Sequence, residues 1–245
     1  MKKNRKYGLI GKNIDYSFSK KFFSEKFEKE NLNSIYSNFD IENISHVKLI
    51  LQDDAINGFN VTIPYKEEII KFLDEIDKAA KTIGAVNTIK KINNKYIGFN
   101  TDFIGFEKSL LGLIENKMPE NALILGSGGA SKAVKYVLNK LNINYSTVSR
   151  ISGKSEFIYE NLNEEIINSF KLIINCSPVG TYPNINDSPN IPYEYLSEDH
   201  ILYDLIYNPA ETLFLKKGRT SGCKIKNGLE MLEVQANEAW RIWNS

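Results

Sequence analysis

Leu123-Ile124-Leu125 runs without a break into Gly126-Ser127-Gly128-Gly129-Ala130-Ser131, and this junction constrains the fold more than any other stretch of the chain. Three apolar residues in a row read as a short buried strand, and an amphipathic helix is expected over 131–141. Glycines between a strand and a helix let the backbone turn tightly and approach a pyrophosphate. The helix N-terminus beyond them offers free N–H groups and a partial positive charge. The junction therefore predicts a nucleotide-binding unit, with Gly126, Ser127, Gly128, Gly129 and Ala130 against the cofactor. A strand-helix turn with no ligand is the reading that these residues alone leave open.

The end of the following strand bears on which nucleotide. A fold of this kind that takes NAD usually carries Asp or Glu about 20 residues on, against the ribose 2′-hydroxyl. Here the place reads Val148-Ser149-Arg150-Ile151-Ser152-Gly153-Lys154, with two cations and no acid. A carboxylate would repel a 2′-phosphate, whereas Arg150 can grip one through two parallel bonds. Arg150 and Lys154 thus favour NADP over NAD, against the plainer reading of exposed basic residues in a turn.

Around this junction, strands are expected over 145–148, 172–175 and 201–205, and earlier over 7–10, 35–39, 58–62, 85–92 and 96–100. Helices are expected over 20–30, after Pro64 through Ile69, Ile70, Leu73 and Ile76, and from Asp102 onward. Asn93-Asn94 reads as a hairpin turn. Strands alternating with helices imply an α/β fold with a parallel sheet. The length of 245 residues allows two small domains. A net charge of +1, from 31 basic and 30 acidic side chains, gives no footprint for nucleic acid or a membrane surface. No apolar run approaches the roughly 18 residues of a membrane helix and no signal-peptide core follows the basic start, so a cytoplasmic protein is expected. Two isolated cysteines and two histidines outside any motif support no metal site.

Three polar positions in the first hundred residues stand out. Lys66, in Asn60-Val61-Thr62-Ile63-Pro64-Tyr65-Lys66, falls in the first turn of the helix expected there, where the helix dipole disfavours a cation. Asp102 is a natural N-cap for the helix after it, and taken alone capping explains it. Asn87 lies in an otherwise apolar strand, where an unpaired amide would be costly, so it meets either a backbone group or a ligand. Spacing alone leads to an NADP-linked oxidoreductase and no further.

These blocks, taken in order, resemble the shikimate dehydrogenase family through nearly the whole chain. Ser17-Phe18-Ser19 is similar to its Ser-x-Ser segment, 60–66 to NVTxPxK, 84–88 to GAVNT, 98–102 to GxNTD and 126–131 to GxGGAS. Asn175 to Gly180, Asp204 to Pro209 and Gly228 to Ala236 resemble its last three blocks. The resemblance implies Lys66 and Asp102 as the catalytic pair. It implies Ser17, Ser19, Thr62, Asn87, Tyr207 and Gln235 around a polyhydroxylated ring acid, and Gly228 as a place where the cofactor approaches. The implied reaction is the NADPH-dependent reduction of 3-dehydroshikimate to shikimate in aromatic amino-acid biosynthesis, by a monomer or a homodimer.

The family's usual His and Pro around the two serines are Tyr16 and Lys20 here, and its Asn-Arg-Thr is Ser149-Arg150-Ile151. The expected architecture is a substrate domain over 1–103, completed by a C-terminal helix over 228–245, and a Rossmann-like NADP domain over 104–227. The alternatives are a quinate/shikimate dehydrogenase using NAD and a non-catalytic sensor of the ring acid.

Overall fold

The computed structural model describes residues 5–15, 17–114, 118–153 and 155–245, so Tyr16 and Lys154 lie outside the described residues. The chain forms two compact units, one of Met1–Thr101 with Gln235–Ser245 and one of Asp102–Val234.

In the first unit the order is β1 (Arg5–Gly11), α1 (Phe18–Lys29), β2 (Ser34–Asp40), α2 (Val47–Leu51), β3 (Ile56–Val61), β4 (Glu75–Ile76), α3 (Lys78–Ile83), β5 (Thr88–Ile92) and β6 (Lys95–Phe99). The sheet runs β2-β1-β3-β5-β6-β4, with β5 antiparallel to both β3 and β6. Asn93 and Asn94 join β5 to β6 with φ of 49° and 62°. Positive φ at both central residues is what a tight hairpin needs, and Asn tolerates it better than most residues. One face of the sheet buries Ile10, Phe59, Val61, Ile69 and Ile89. The other buries Tyr7, Phe23, Phe27 and Tyr36 against Trp243 of the C-terminal helix. Trp243 donates its indole N–H to the Ile89 carbonyl at 3.0 Å, and a side chain on Gly58 would collide with its ring. Each such side chain, fully buried, contributes about 1.5–3 kcal/mol.

The region after Pro64 differs from the expected helix. It holds a single short 3-10 helix, Glu68–Phe72, followed by the strand β4. Asp74 N–H donates to the Tyr96 carbonyl and Asp77 N–H to the Gly98 carbonyl, so pairing with β6 decides the backbone here. Lys66 accordingly lies in a turn ahead of the 3-10 helix and not in a first helical turn. Residues 85–87 precede β5 and do not belong to it, which puts Asn87 outside the strand. Asp102 is the first residue of its helix, one position inside the expected cap.

The second unit comprises α4 (Asp102–Ile114), β7 (Asn121–Leu125), α5 (Gly129–Lys140), β8 (Asn144–Ser149), β9 (Phe157–Ile158), α6 (Glu164–Ser169), β10 (Leu172–Asn175), β11 (Ile201–Asp204), α7 (Leu213–Thr220) and β12 (Lys224–Lys226). Its helix α8 (Leu229–Asn244) continues into the first unit. All six strands are parallel, in the order β12-β11-β10-β7-β8-β9. Counted from β7, this is the 3-2-1-4-5-6 order of doubly wound dinucleotide folds, written from the other edge. Central strands buried on both faces need continuous apolar runs, and residues 122–125 and 172–174 are fully buried.

Candidate active site

In open α/β sheets, ligands bind outside the carboxyl ends of strands where the strand order reverses. The first unit has such a point between β1 and β3. Thr62 N–H donates to the Ile10 carbonyl there at 2.9 Å, and Lys12 N–H to the Ile63 carbonyl at 3.2 Å. The loop after β1 is pinned by Asp40, which accepts from the N–H groups of Asn13 and Ile14, each at 3.0 Å. That loop delivers Ser17 to the N-cap position of α1. Its side chain makes no capping bond, and its Oγ is buried with no partner among the described residues. A buried hydroxyl left out of its natural cap is free to serve a ligand.

Ser19, one residue into α1, hydrogen-bonds Tyr36, whose phenol burial pushes far above its ordinary value. Tyr36 donates to Asn60 Oδ1 at 2.8 Å. Asn60 in turn donates to the Asn87 carbonyl and to Thr88 Oγ1, both at 3.2 Å. Asn87 is 3% exposed and heavily used: its Nδ2 donates to Gln235 Oε1 at 3.3 Å and Thr101 Oγ1 at 3.0 Å. Its Oδ1 accepts from Thr101 N–H at 2.7 Å. The structure thus gathers Asn87 and Gln235 and links them towards Ser19. Lys66 is held near by its backbone, its carbonyl accepting from Val86 N–H at 2.7 Å. Tyr65 anchors the same turn, donating its buried hydroxyl to the Ile41 carbonyl at 2.6 Å.

Neither residue type nor spacing singles out Tyr36, Asn60, Thr88 or Thr101. The one local signal is a polar residue at the carboxyl end of an apolar strand, as Asn60 is within Ile56–Val61.

In the second unit the reversal lies between β7 and β10, where Gly126 follows one strand and Cys176 the other. Cys176 N–H donates to the Leu125 carbonyl and Gly126 N–H to the Val148 carbonyl, both at 2.9 Å. Gly126 has φ +106°, and a Cβ on it would come within 3.2 Å of Ser177 N, so only glycine fits. Gly128, the N-cap of α5, has an ordinary φ of −75° and no protein atom within 4 Å of where a Cβ would stand. Neither strain nor packing demands glycine there, and the open space lies at the positive end of α5, as a phosphate requires. Ser127 is exposed, Gly129 and Ala130 half-buried, and Ser131 Oγ donates to the Gly128 carbonyl at 2.7 Å.

Arg150 follows β8 and is exposed. Ser149 is turned into its own loop, its Oγ within 2.7 Å of the Ile151 carbonyl and accepting from Ile151 N–H at 3.1 Å. Among the described residues, Arg150 is therefore the cation at this strand end. Gly228 packs on the Leu205 carbonyl, where any side chain would collide, and donates its N–H to the Ile206 carbonyl at 3.0 Å. Tyr207 is half-buried, which raises its phenol. Asp102 is buried at the start of α4.

A parallel sheet with this strand order and a glycine turn at its reversal defines a dinucleotide-binding unit, here joined to a smaller α/β unit with a buried polar cluster. The class is that of the two-unit nicotinamide-dependent dehydrogenases. Residues 9–89 match the family model described as the shikimate dehydrogenase substrate binding domain. The chain is 40% identical over 257 residues to the shikimate dehydrogenase (NADP(+)) of Methanococcus aeolicus, spanning 98% of this chain and 92% of that protein. The chain belongs to the shikimate dehydrogenase family. The fold is similar to that of the Thermus thermophilus shikimate 5-dehydrogenase solved with NADP(H) and shikimate, with a TM-score of 0.87, 28% identity, and 97% and 92% of the two chains covered. The Corynebacterium glutamicum quinate dehydrogenase solved with NAD, at 23% identity and a TM-score of 0.88 over 98% and 93% of the chains, shares the fold.

Proposed function

We propose that this chain is an NADP-dependent oxidoreductase that interconverts 3-dehydroshikimate and shikimate in aromatic amino-acid biosynthesis, acting in the cytoplasm as a monomer or a homodimer. NADP, when bound, supplies or accepts the hydride. Gly126 to Ala130 hold its pyrophosphate, Arg150 and Lys154 meet the 2′-phosphate, and Gly228 lies where it approaches. One observation carries the cofactor assignment above the rest: Gly128, at the strand-order reversal, is a glycine that nothing in the protein requires.

Ser17 and Ser19 bind the substrate carboxylate. Thr62, Asn87, Tyr207 and Gln235 meet the ring and its hydroxyls. A site built from hydroxyl and amide groups rejects analogues lacking a matching hydroxyl, because its buried polar groups would be left unpaired. Lys66 and Asp102 are the catalytic pair. Reduction of a ketone leaves a developing alkoxide that needs a proton, and the Lys66 ammonium supplies both the proton and the stabilising charge. The Asp102 carboxylate orients that ammonium. In the reverse direction Lys66 takes the proton back.

The test is product identification. Purified protein given 3-dehydroshikimate and NADPH is expected to form shikimate in step with NADPH consumption. Folded protein that consumes neither overturns the proposal.

A further inference from the structure

We propose that Asp204 is a positioning residue for the cofactor site, holding the glycine turn and the Leu205–Tyr207 loop in register through one buried carboxylate. The inference rests on the reading of the glycine turn as the NADP pyrophosphate site.

Asp204 ends β11 and is wholly buried, as are Asn175 at the end of the neighbouring β10 and Thr212 before α7. Its Oδ1 accepts from Asn175 Nδ2 and from Ile206 N–H, each at 3.0 Å, and its Oδ2 from Thr212 Oγ1 at 2.6 Å. Each bond governs a different segment. Asn175 Oδ1 accepts from Ser177 N–H at 3.0 Å and Ser177 Oγ at 2.7 Å, which fixes the turn after β10. That turn is the surface against which Gly126 packs, with Ser177 N 3.2 Å and the Cys176 carbonyl carbon 3.3 Å from the place of its missing Cβ. A shift at Asn175 is thus passed towards the glycine turn through Cys176, whose N–H is bonded to the Leu125 carbonyl at 2.9 Å just ahead of Gly126.

Ile206 N–H holds the second segment. The Leu205 and Ile206 carbonyls shape the seat of Gly228, and the next residue is Tyr207. Thr212 is the third segment, at the start of α7: its Oγ1 accepts from Leu215 N–H at 3.4 Å and caps that helix. The loops after β10 and β11 are also joined directly, Tyr182 N–H donating to the Asn208 carbonyl at 3.1 Å. A buried carboxylate is costly and persists only when its hydrogen bonds are made. Here the three donors come from the end of β10, the loop after β11 and the start of α7, and burial still pushes its pKa up to about 6.

The experiment compares Asp204→Ala, Asp204→Asn and Thr212→Val by calorimetric titration with NADP+, thermal unfolding, and KM for each substrate. Asp204→Ala is expected to weaken NADP+ binding roughly tenfold, the effect of one lost charged hydrogen bond, and to raise KM for NADP+ more than KM for shikimate. Asp204→Asn keeps an acceptor for Asn175 and Ile206 and is expected to restore most of the affinity. Thr212→Val is expected to lower the melting temperature without changing NADP+ affinity, which separates positioning from general stabilisation. If Asp204→Ala does not fold, Asn175→Ala breaks the same link from β10 and carries the same tenfold expectation. Unchanged affinity in these variants, or an equal loss in Thr212→Val, overturns the inference. Wild-type protein that binds no NADP+ overturns the cofactor reading itself, and the inference with it.

Discussion

Asn87 and Gln235 lie 148 positions apart in the chain and share a buried hydrogen bond at 3.3 Å, Asn87 Nδ2 donating to Gln235 Oε1. Thr101 closes the triangle, contacting both. This cluster joins the C-terminal helix to the turn before β5. Asn87→Leu would strand the Thr101 N–H in an apolar setting, where an unmatched polar group costs about 1–3 kcal/mol. Urea unfolding should show that loss, and KM for shikimate should rise with little change in KM for NADP+. A variant as stable as the wild type would refute the structural part of this account.

The two glycines of the nucleotide turn are expected to respond in opposite ways. Gly126→Ala forces φ +106° on a residue with a Cβ and crowds Ser177, so it should cost about 1–3 kcal/mol of stability. Gly128→Ala meets open space, and its stability cost should stay near the roughly 1 kcal/mol of a poorer helix cap. Its NADP+ affinity should nonetheless fall by about tenfold or more, the cost of a displaced charged hydrogen bond. Paired melting curves and titrations read both effects. Equal behaviour of the two variants would count against a phosphate at Gly128.

Arg150 is exposed, so Arg150→Ala should leave stability within about 0.5 kcal/mol of wild type. Losing a bidentate grip on the 2′-phosphate should raise KM for NADP+ by roughly 10- to 100-fold. KM for NAD+ should hold steady, since that cofactor has no such phosphate. Equal losses for both cofactors would mean that Arg150 does not read the 2′ position.

Burial raises Asp204 from its ordinary 3.8 to about 6. For an acid, a folded pKa above the unfolded one means that the folded protein holds its proton longer. The favourable contribution is therefore present below about pH 4 and is lost as pH rises through about 6, by up to about 3 kcal/mol. Asp204→Asn has no such proton. Its stability relative to wild type should improve between about pH 4 and 6 and then level off. Burial lowers His200, which destabilises the fold as pH falls, but that effect is common to both proteins and drops out of the difference. Unfolding free energies across this pH range decide it, and parallel profiles would contradict the assignment.

Much of the second unit was legible because its central strands are unbroken apolar runs that end at glycine, Asn or Asp. Leu123-Ile124-Leu125 and Leu172-Ile173-Ile174 can be little else in an α/β chain. The first unit was harder where local pattern and sheet pairing disagree. Ile69, Leu73 and Ile76 carry helical spacing, yet Asp74 and Asp77 pair their backbones with Tyr96 and Gly98 and draw the segment into the sheet edge. Asp77 then caps α3, its side chain accepting from Ala79 N–H at 2.9 Å, and that acid was the local sign of a break before residue 78. Within the site, residues with distinctive chemistry could be named from sequence, whereas Tyr36 and Asn60 act through partners far away in the chain and Asp204 reaches the glycine turn only through Asn175, 29 positions before it. No spacing rule reports such contacts. Nor does sequence show that the Ser149 hydroxyl, beside Arg150, is folded back on Ile151.

Lys66 supports its turn through the backbone carbonyl, so Lys66→Ala should leave that turn in place. Removal of the proton donor should lower kcat by about 10²- to 10⁴-fold with NADP+ affinity unchanged. Near-normal turnover would exclude Lys66 from the chemistry.

The most direct measurement is absorbance of the reduced nicotinamide with purified protein and shikimate, run in parallel with NADP+ and NAD+ and repeated with quinate. Growth of the signal is expected with shikimate and NADP+, and far less with NAD+ or with quinate. A silent assay with both cofactors, using protein shown to be folded, would contradict the proposed function and favour a chain that binds the ring acid without turning it over.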